Sequence, residues 1–428
     1  MHPFAPLTAA EIDRLFAEAD RLLETVGVEI NDDPESLAHL DAAGARIDGD
    51  RVRFPAGLAT ALIRERAPAR FRQHARNPER SVDFGDGHTV YAPASGPPFL
   101  RDPDTGRRRY ATLADYERVA RMTQASTALI HAGGGYCEPS DRGPATRHLD
   151  MLEAKLRLTD KPLTGAIRNA DQVRDSLTMT AIACGDPDLA QCCLLNLFNI
   201  EPPLVIPDHV AAGIRLTADA GQACLVSSYA MLGMTSPANL PAALAQMLAE
   251  VQAGTALAQS VRPGAPVICG IYAVPFSMSA MRPIFGAIES ALVMAAGAQL
   301  VRQLGVPFRA DGAVTSAKTL DAQAGRDSAL GLGMAQAIGS AFVLHAAGWL
   351  EAGLSFSFDK FAHDVATIEG LQADSAAPLA NAAGATPSAA DLLAAWRPPT
   401  MATERAEALA VFVEERRQRY QAAESAAC

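Results

Sequence analysis

The sequence predicts an α/β fold, a TIM (β/α)8 barrel with an N-terminal α+β segment ahead of it. Three observations predict it. Eight apolar runs of strand length follow one another after residue 127. Amphipathic stretches of helical length separate them, the pattern of parallel strands covered by helices. No Gly-x-Gly-x-x-Gly turn follows the first run, as an open doubly wound sheet would require. Gly133-Gly134-Gly135 lacks that spacing, and the acidic residue about 20 positions further on is Glu153, inside a helix.

The elements read in order as follows. Residues 8–27 form a helix: Thr8 and Glu11 make a capping box, Ile12, Leu15, Phe16, Leu22 and Leu23 recur at helical spacing, and Gly27 stops it. Further helices span 34–43 and 56–66, with a Gly-Asp hairpin between them. Short strands and turns follow Pro68, with turn chemistry at Asp86-Gly87 and Asp104-Thr105-Gly106. The N-terminal segment thus spans 1–124, packed beside the barrel mouth. The strand candidates are 128–134, 162–167, 194–200, 223–229, 266–272, 307–313, 341–348 and 353–359. The intervening helices are 145–158, 171–184, 207–220, 237–260, 286–304, 321–339 and 359–372, which places the barrel at 125–372. A C-terminal part, 373–428, comprises an Ala- and Pro-rich excursion and a charged amphipathic helix over 402–426.

The formal charge of −11 argues against nucleic acid or an anionic membrane as partner. It is compatible with a small cationic substrate. No run reaches the roughly 18 uninterrupted apolar residues of a membrane span. The first residues lack the basic start and apolar core of a signal peptide. Seven cysteines without a CxxC spacing read as reduced thiols. The expected location is cytoplasmic, and the sequence leaves homo-oligomerisation open.

Barrel chemistry lies at the C-terminal strand ends. Those positions hold His131, Arg168, Asn196, Ser227, Ser228, Tyr229, Tyr272, Asp311, His345 and Asp359. Polar residues inside apolar strands are the local inconsistency that functional sites produce. His345, in AFVLHAAGW, is the sharpest case, as a substrate contact or as a hydrogen-bonded core histidine. His131 precedes three glycines that allow close approach of a ligand; the competing reading is a tight turn. His131, Cys269, Asp311 and His345 could converge, but no pair has metal-ligand spacing, so no metal is predicted. With four lysines the candidates for a Schiff base are few; Lys318 follows the sixth strand, but a structural ion pair with Asp321 or Asp311 suits it better.

The segments LLETVGVEI, LDAAGARIDGDRVRFP, DPDTGRRRYATLADYERVARM, TDKPLTG, MTSPANLPAALAQMLAEVQAG, RPGAPVICG, SAKTLDAQAG and HAAGWLEAGLSFS, in this order and spacing, resemble the trimethylamine methyltransferase family, whose members use corrinoid proteins. The resemblance runs to about residue 370 and implies a TIM barrel and a cytoplasmic enzyme of one-carbon metabolism of the methanogenic type. One branch of the family carries pyrrolysine near the equivalent of Gly312 to Thr315. Every residue here is standard, so the chain is similar to the other branch, whose characterised members act on quaternary amines such as glycine betaine. The resemblance therefore implies methyl transfer from a betaine to the Co(I) of a separate corrinoid protein, with no cofactor bound tightly by this chain itself.

Aromatic faces suit an onium group, with Tyr91, Phe99, Tyr229, Tyr272, Phe356 and Phe358 as candidates. Arg309 and Arg168 are candidates for a carboxylate. His131 and Asp311 complete the expected substrate contacts. The motif around His345 matches a histidine of the betaine site in glycine betaine enzymes, which makes it the expected catalytic residue. The chain departs from the family after the fifth strand, where AVPFSMSAMRPIFGAIES lacks the usual early acidic residue and Arg-Thr-Gly. It departs again at Thr315-Ser316-Ala317-Lys318, where Thr-Asp-Ser-Lys is common. Two readings from other classes remain: a Schiff-base lyase or aldolase using Lys318, and a betaine-binding protein without turnover.

Overall fold

The computed structural model describes residues 4–376 and 387–427; part of the Ala- and Pro-rich excursion, 377–386, lies outside the described residues. At its centre is a parallel sheet of seven strands: β1 (Val90–Tyr91), β2 (Leu163–Thr164), β3 (Leu194–Ile200), β4 (Ala223–Leu232), β5 (Val267–Ser277), β6 (Phe308–Asp311) and β7 (Phe342–Leu344). They pair in the order β1-β7-β6-β5-β4-β3-β2. After β5 the chain doubles back, and Arg282–Pro283 pairs antiparallel with Phe276 and Ser277.

The sheet curls. Val90, Leu195, Leu225, Ile268, Phe342 and Leu344, from five different strands, share one buried cluster on the concave face. Residues 131–133 bridge the two edge strands. His131 N–H donates to Tyr91 O (3.3 Å), Ala132 N–H to Pro162 O (2.7 Å), and Thr164 N–H to Gly133 O (3.0 Å).

Two expectations for the strands are corrected. The run 353–359 is not part of this sheet. Ser355–Phe356 pairs with Phe99–Arg101 and Trp349–Leu350 in a small outer sheet. The first strand is β1, ahead of the expected start at 125. With two residues it is too short to show periodicity.

Helices cover the convex face at 147–158, 170–184, 208–219, 240–261, 288–304, 322–337 and 358–376. The helix Leu240–Val261 is buried on every face from Ala243 to Gln259. Such all-round burial needs a second covering layer. The N-terminal segment supplies it: the helices Ala9–Thr25, Pro34–Ala42 and Leu58–Arg66 lie against Leu240–Val261, and Gln252 donates to Thr60 Oγ1 at 2.7 Å. This part packs on the outside of the sheet rather than at the strand ends. The hairpin Phe71–Gln73/Val82–Phe84 closes the N-terminal end of the concave face, with Phe84 edge-on to Phe342. The C-terminal helix Thr403–Ala427 packs on 147–158 and 170–184.

Candidate active site

Side chains alternate across a strand, and parallel partners share a face. The register Leu225↔Ile268, Ser227↔Gly270 and Tyr229↔Tyr272 puts Ser227, Tyr229, Gly270 and Tyr272 on the concave face. Gly270↔Arg309 adds Arg309 and Asp311, and Asp311↔Leu344 adds the residue before His345. Five of the expected residues, Tyr229, Tyr272, Arg309, Asp311 and His345, therefore converge at the C-terminal ends of β4 to β7.

Arg309 and Asp311 are buried and joined by a 2.5 Å hydrogen bond from the guanidinium to Oδ1. Burial pushes the Asp311 carboxyl up to about 6, although Arg309 opposes the shift. The Arg309 stem crosses the space that a side chain at 270 would fill. A Cβ on Gly270 would stand 2.2 Å from Ser227 Oγ and 2.9 Å from Arg309 Cδ. Gly270→Ala should destabilise the chain by about 1–3 kcal/mol through overpacking and displace Arg309. A denaturant midpoint equal to wild type would refute that reading.

His345 has φ +54°, in the left-handed region that favours glycine. Its Nδ1 accepts from Ser95 N–H at 3.2 Å. The ring proton of the neutral imidazole therefore sits on Nε2, which faces Asp311 Oδ1 at 3.8 Å. Burial and the Arg309 charge hold its pKa down to about 3, so the ring stays neutral.

A run of aromatic rings extends from His345. Its ring stacks on Trp349 (4.9 Å), Trp349 meets Phe285 edge-on (4.8 Å), Phe285 stacks with Tyr229 (6.3 Å), and Tyr229 with Tyr272 (6.1 Å). Trp349 and Phe285 were not among the expected residues, because both lie beyond the ends of the central strands, Trp349 in the two-residue outer strand and Phe285 in a loop. The available signal was Trp349 itself, one of two tryptophans, four residues after His345.

Six expected residues, Tyr91, Phe99, His131, Arg168, Phe356 and Phe358, are not brought to this cluster; Phe99 lies in the outer sheet against Tyr110, and Phe358 packs on Phe356. Tyr91 pairs with Val343, not with Phe342 or Leu344, so its ring faces the helices on the convex side. His131 is buried with both ring nitrogens engaged, Nδ1 by Gly133 N–H (2.8 Å) and Nε2 by Gln73 Oε1 (3.1 Å). Phe356 lies in the outer sheet and packs on Phe358 and Phe361. Arg168 pairs with Glu138 at 3.0 Å. Lys318 is exposed and lacks the apolar surroundings that a Schiff-base lysine needs. Among the described residues no three His, Cys, Asp or Glu side chains are grouped to hold a metal, and no helix is long and apolar enough to cross a membrane.

The family model for trimethylamine methyltransferase matches residues 1–382. The glycine betaine methyltransferase of Desulfitobacterium hafniense (strain Y51) is 36% identical over 360 residues, 84% of this chain and 74% of that protein. The proline betaine:corrinoid methyltransferase of Eubacterium limosum is 27% identical over 381 residues, covering 84% of this chain and 75% of its own length. Among solved structures, the monomethylamine methyltransferase of Methanosarcina barkeri superposes with a TM-score of 0.51 at 11% identity, over 98% of this chain and 95% of that one, a likeness of fold. The chain belongs to the trimethylamine methyltransferase family and is a methyltransferase.

Proposed function

We propose that the chain moves a methyl group from a quaternary amine, a betaine, to the Co(I) of a corrinoid held by a partner protein. The curled sheet is then an eight-membered barrel, with 131–133 as the irregular segment between β1 and β2. The observation that carries the reading is the aromatic run from Tyr272 to His345 beside a buried, mutually neutralised Arg309–Asp311 pair. Electron-rich ring faces attract an onium group by about 0.5–2 kcal/mol each. Asp311 cancels the Arg309 charge that would otherwise repel it. Names of relatives that act on glycine betaine, proline betaine and L-carnitine support the substrate class.

In the transfer, the methyl carbon–nitrogen bond breaks and a carbon–cobalt bond forms. The electron pair of the broken bond stays with nitrogen, and the product is a neutral tertiary amine. Co(I) supplies the nucleophile. The residues of this chain hold the methyl in line and keep water from the reacting carbon. The neutral His345 ring stacks on Trp349 and offers Nε2–H to the substrate. The loops at the strand ends expose Met234, Met278, Met281, Ile284, Leu320 and Leu354, an apolar rim that suits contact with the corrinoid-bearing partner.

The test is a panel of betaines with reduced cobalamin, read by the visible absorbance of methylcobalamin. A wild-type chain that methylates cobalamin from no betaine overturns the proposal. Borohydride trapping of substrate on Lys318 would point instead to the lyase. His345→Ala should lower methyl transfer at least tenfold, about 1.4 kcal/mol. His345→Asn, which tolerates the left-handed backbone, should fold as wild type yet remain impaired. Full activity of both variants would make this histidine structural.

A further inference from the structure

Three of the four lysines are buried, and they differ in how their ammonium groups are satisfied. An ammonium has three N–H donors. Lys161 donates to Thr123 O, Ser126 O and Leu129 O at 2.6–2.7 Å. Lys360 donates to Ala313 O, Ser328 Oγ and the Asp364 carboxylate. Lys155, 3% exposed, donates to two oxygens, Gly133 O and Thr164 O, both at 3.0 Å, and its ammonium lies 5.7 Å from the Tyr136 ring centroid. Among the described residues no carboxylate forms an ion pair with it. Burial pulls its pKa down to about 7.

Lys155 lines a cavity of about 280 Å³ at the C-terminal ends of β2 and β3. Leu197, Leu225, Phe342 and Leu344 form its apolar floor. The cavity adjoins His345: Ser95, whose N–H donates to His345 Nδ1, also lines it. Two buried polar atoms of residues on its walls have no hydrogen-bond partner, His148 Nδ1 and Arg147 Nε. Each unsatisfied buried group costs about 1–3 kcal/mol, so two around one cavity, beside an ammonium with no carboxylate partner, need an explanation. The charges are unequal. Arg147 and Arg168 share the one carboxylate of Glu138, and Lys155 adds a further cation.

His148 is held firmly. Its Nε2–H donates to Asp175 Oδ2 at 2.9 Å, and the ring meets Tyr420 edge-on. Asp175 is fixed in turn by Tyr420 O–H (2.8 Å) and Arg416 Nε (2.6 Å) of the C-terminal helix. That helix, Thr403–Ala427, lies beyond residue 382, where the family match ends.

We propose that this cavity is the carboxylate subsite of the substrate. Lys155 is the counter-ion, and His148, positioned by Asp175 and the C-terminal helix, donates through Nδ1 as a doubly protonated imidazolium whose Nε2–H stays on Asp175. The proposal rests on the betaine reading, in that the ligand carries an onium group and a carboxylate. It assigns the second of these to a place that the strand-end residues alone do not provide. His148 and Lys155 sit on the helix after residue 146, not on a strand.

Two probes separate the ends of the ligand. 3,3-Dimethylbutanoate keeps the carboxylate and replaces the onium by an uncharged tert-butyl group. Choline keeps the onium and lacks the carboxylate. Calorimetric binding of both should be measured on wild type, Lys155→Met and His148→Phe, with thermal melts to verify folding. The expected result is that each variant loses at least tenfold more affinity for 3,3-dimethylbutanoate than for choline. Tyr420→Phe should raise KM for glycine betaine and leave kcat in place, because it loosens Asp175 without touching the methyl carbon. Equal losses for both probes, no loss for either, or no binding of 3,3-dimethylbutanoate to wild type would overturn the subsite. Lys155→Met could unfold by removing a donor from Gly133 O and Thr164 O. His148→Phe then decides alone, since Asp175 keeps Arg416 and Tyr420. Binding needs no turnover, so a wild type that methylates no cobalamin would sink the methyl-transfer reading and leave this test standing.

Discussion

Asp311→Asn should lower kcat/KM for a betaine by about 100-fold. The substitution keeps the shape and removes the charge, which leaves the Arg309 guanidinium buried and unpaired where the onium group is to bind. Breaking a buried pair from one side costs about 3–5 kcal/mol. About 3 kcal/mol expressed against the cationic substrate gives that factor. The same carboxyl sets a pH dependence. With its pKa pushed up to about 6, Asp311 is ionised above that pH and neutral below it. Wild-type kcat/KM should fall as pH drops through about 6, and the Asn variant should be flat there. His345, held at about 3, is neutral across this range and supplies no limb.

The fall in activity is not unfolding. An unfolded Asp titrates near 3.9. Between roughly pH 4 and 6 the folded chain therefore keeps a proton that the unfolded chain has released. This group alone makes folding more favourable as pH falls through that window. An Asn variant that retains the acid limb would show that another group produces it.

Lys360→Met should destabilise the fold by about 3–5 kcal/mol. The Lys360–Asp364 pair is fully buried at 2.7 Å. Its bonds reach two loops at once. Lys360 holds Ala313 O after β6, and Asp364 accepts from Gly348 N–H after β7 at 2.9 Å. Ser328 joins both members. At about 2.1 cal/mol/K per residue of unfolding entropy, the loss lowers Tm by roughly 4 °C for a chain of this length. Lys360→Met with Asp364→Leu should recover much of it, because no charge is then left stranded. A single variant that melts with wild type would show that the loops do not depend on the pair. Since Ala313 and Gly348 flank Asp311 and His345, the single variant should also lose activity below its Tm.

The long central strands were legible because Leu194–Ile200, Ala223–Leu232 and Val267–Ser277 are apolar runs of ample length. The sheet's first member was not, because Val90–Tyr91 offers only two residues among turns. GLSFSFD reads as a strand, but only Ser355–Phe356 forms one, and its partners are Phe99–Arg101 and Trp349–Leu350, a choice that local pattern does not encode. The candidate site follows the same division. Tyr229, Tyr272, Arg309, Asp311 and His345 stood out as polar or aromatic residues in apolar strands. Tyr91 was misjudged by one position of alternation, which turns a side chain to the other face. Lys155 and His148 were hidden because on a helix they look like ordinary members of a mixed face. Only the packing of that helix shows that they line a cavity.

The sheet is uneven around its circumference. β4 and β5 contribute ten and eleven residues, whereas β1 and β2 contribute two each and 131–133 joins them by three hydrogen bonds. Opening that side breaks few bonds, so its amides open at lower free energy than those of the long strands. Deuterium should enter at Ala132 and Thr164 well before Val226 or Cys269. Gly134 and Thr164 line the 280 Å³ cavity, so the part of the wall that breathes most is the part nearest the ligand. Occupancy of the cavity should therefore slow exchange there first, which makes this seam a local reporter of binding that needs neither turnover nor a partner.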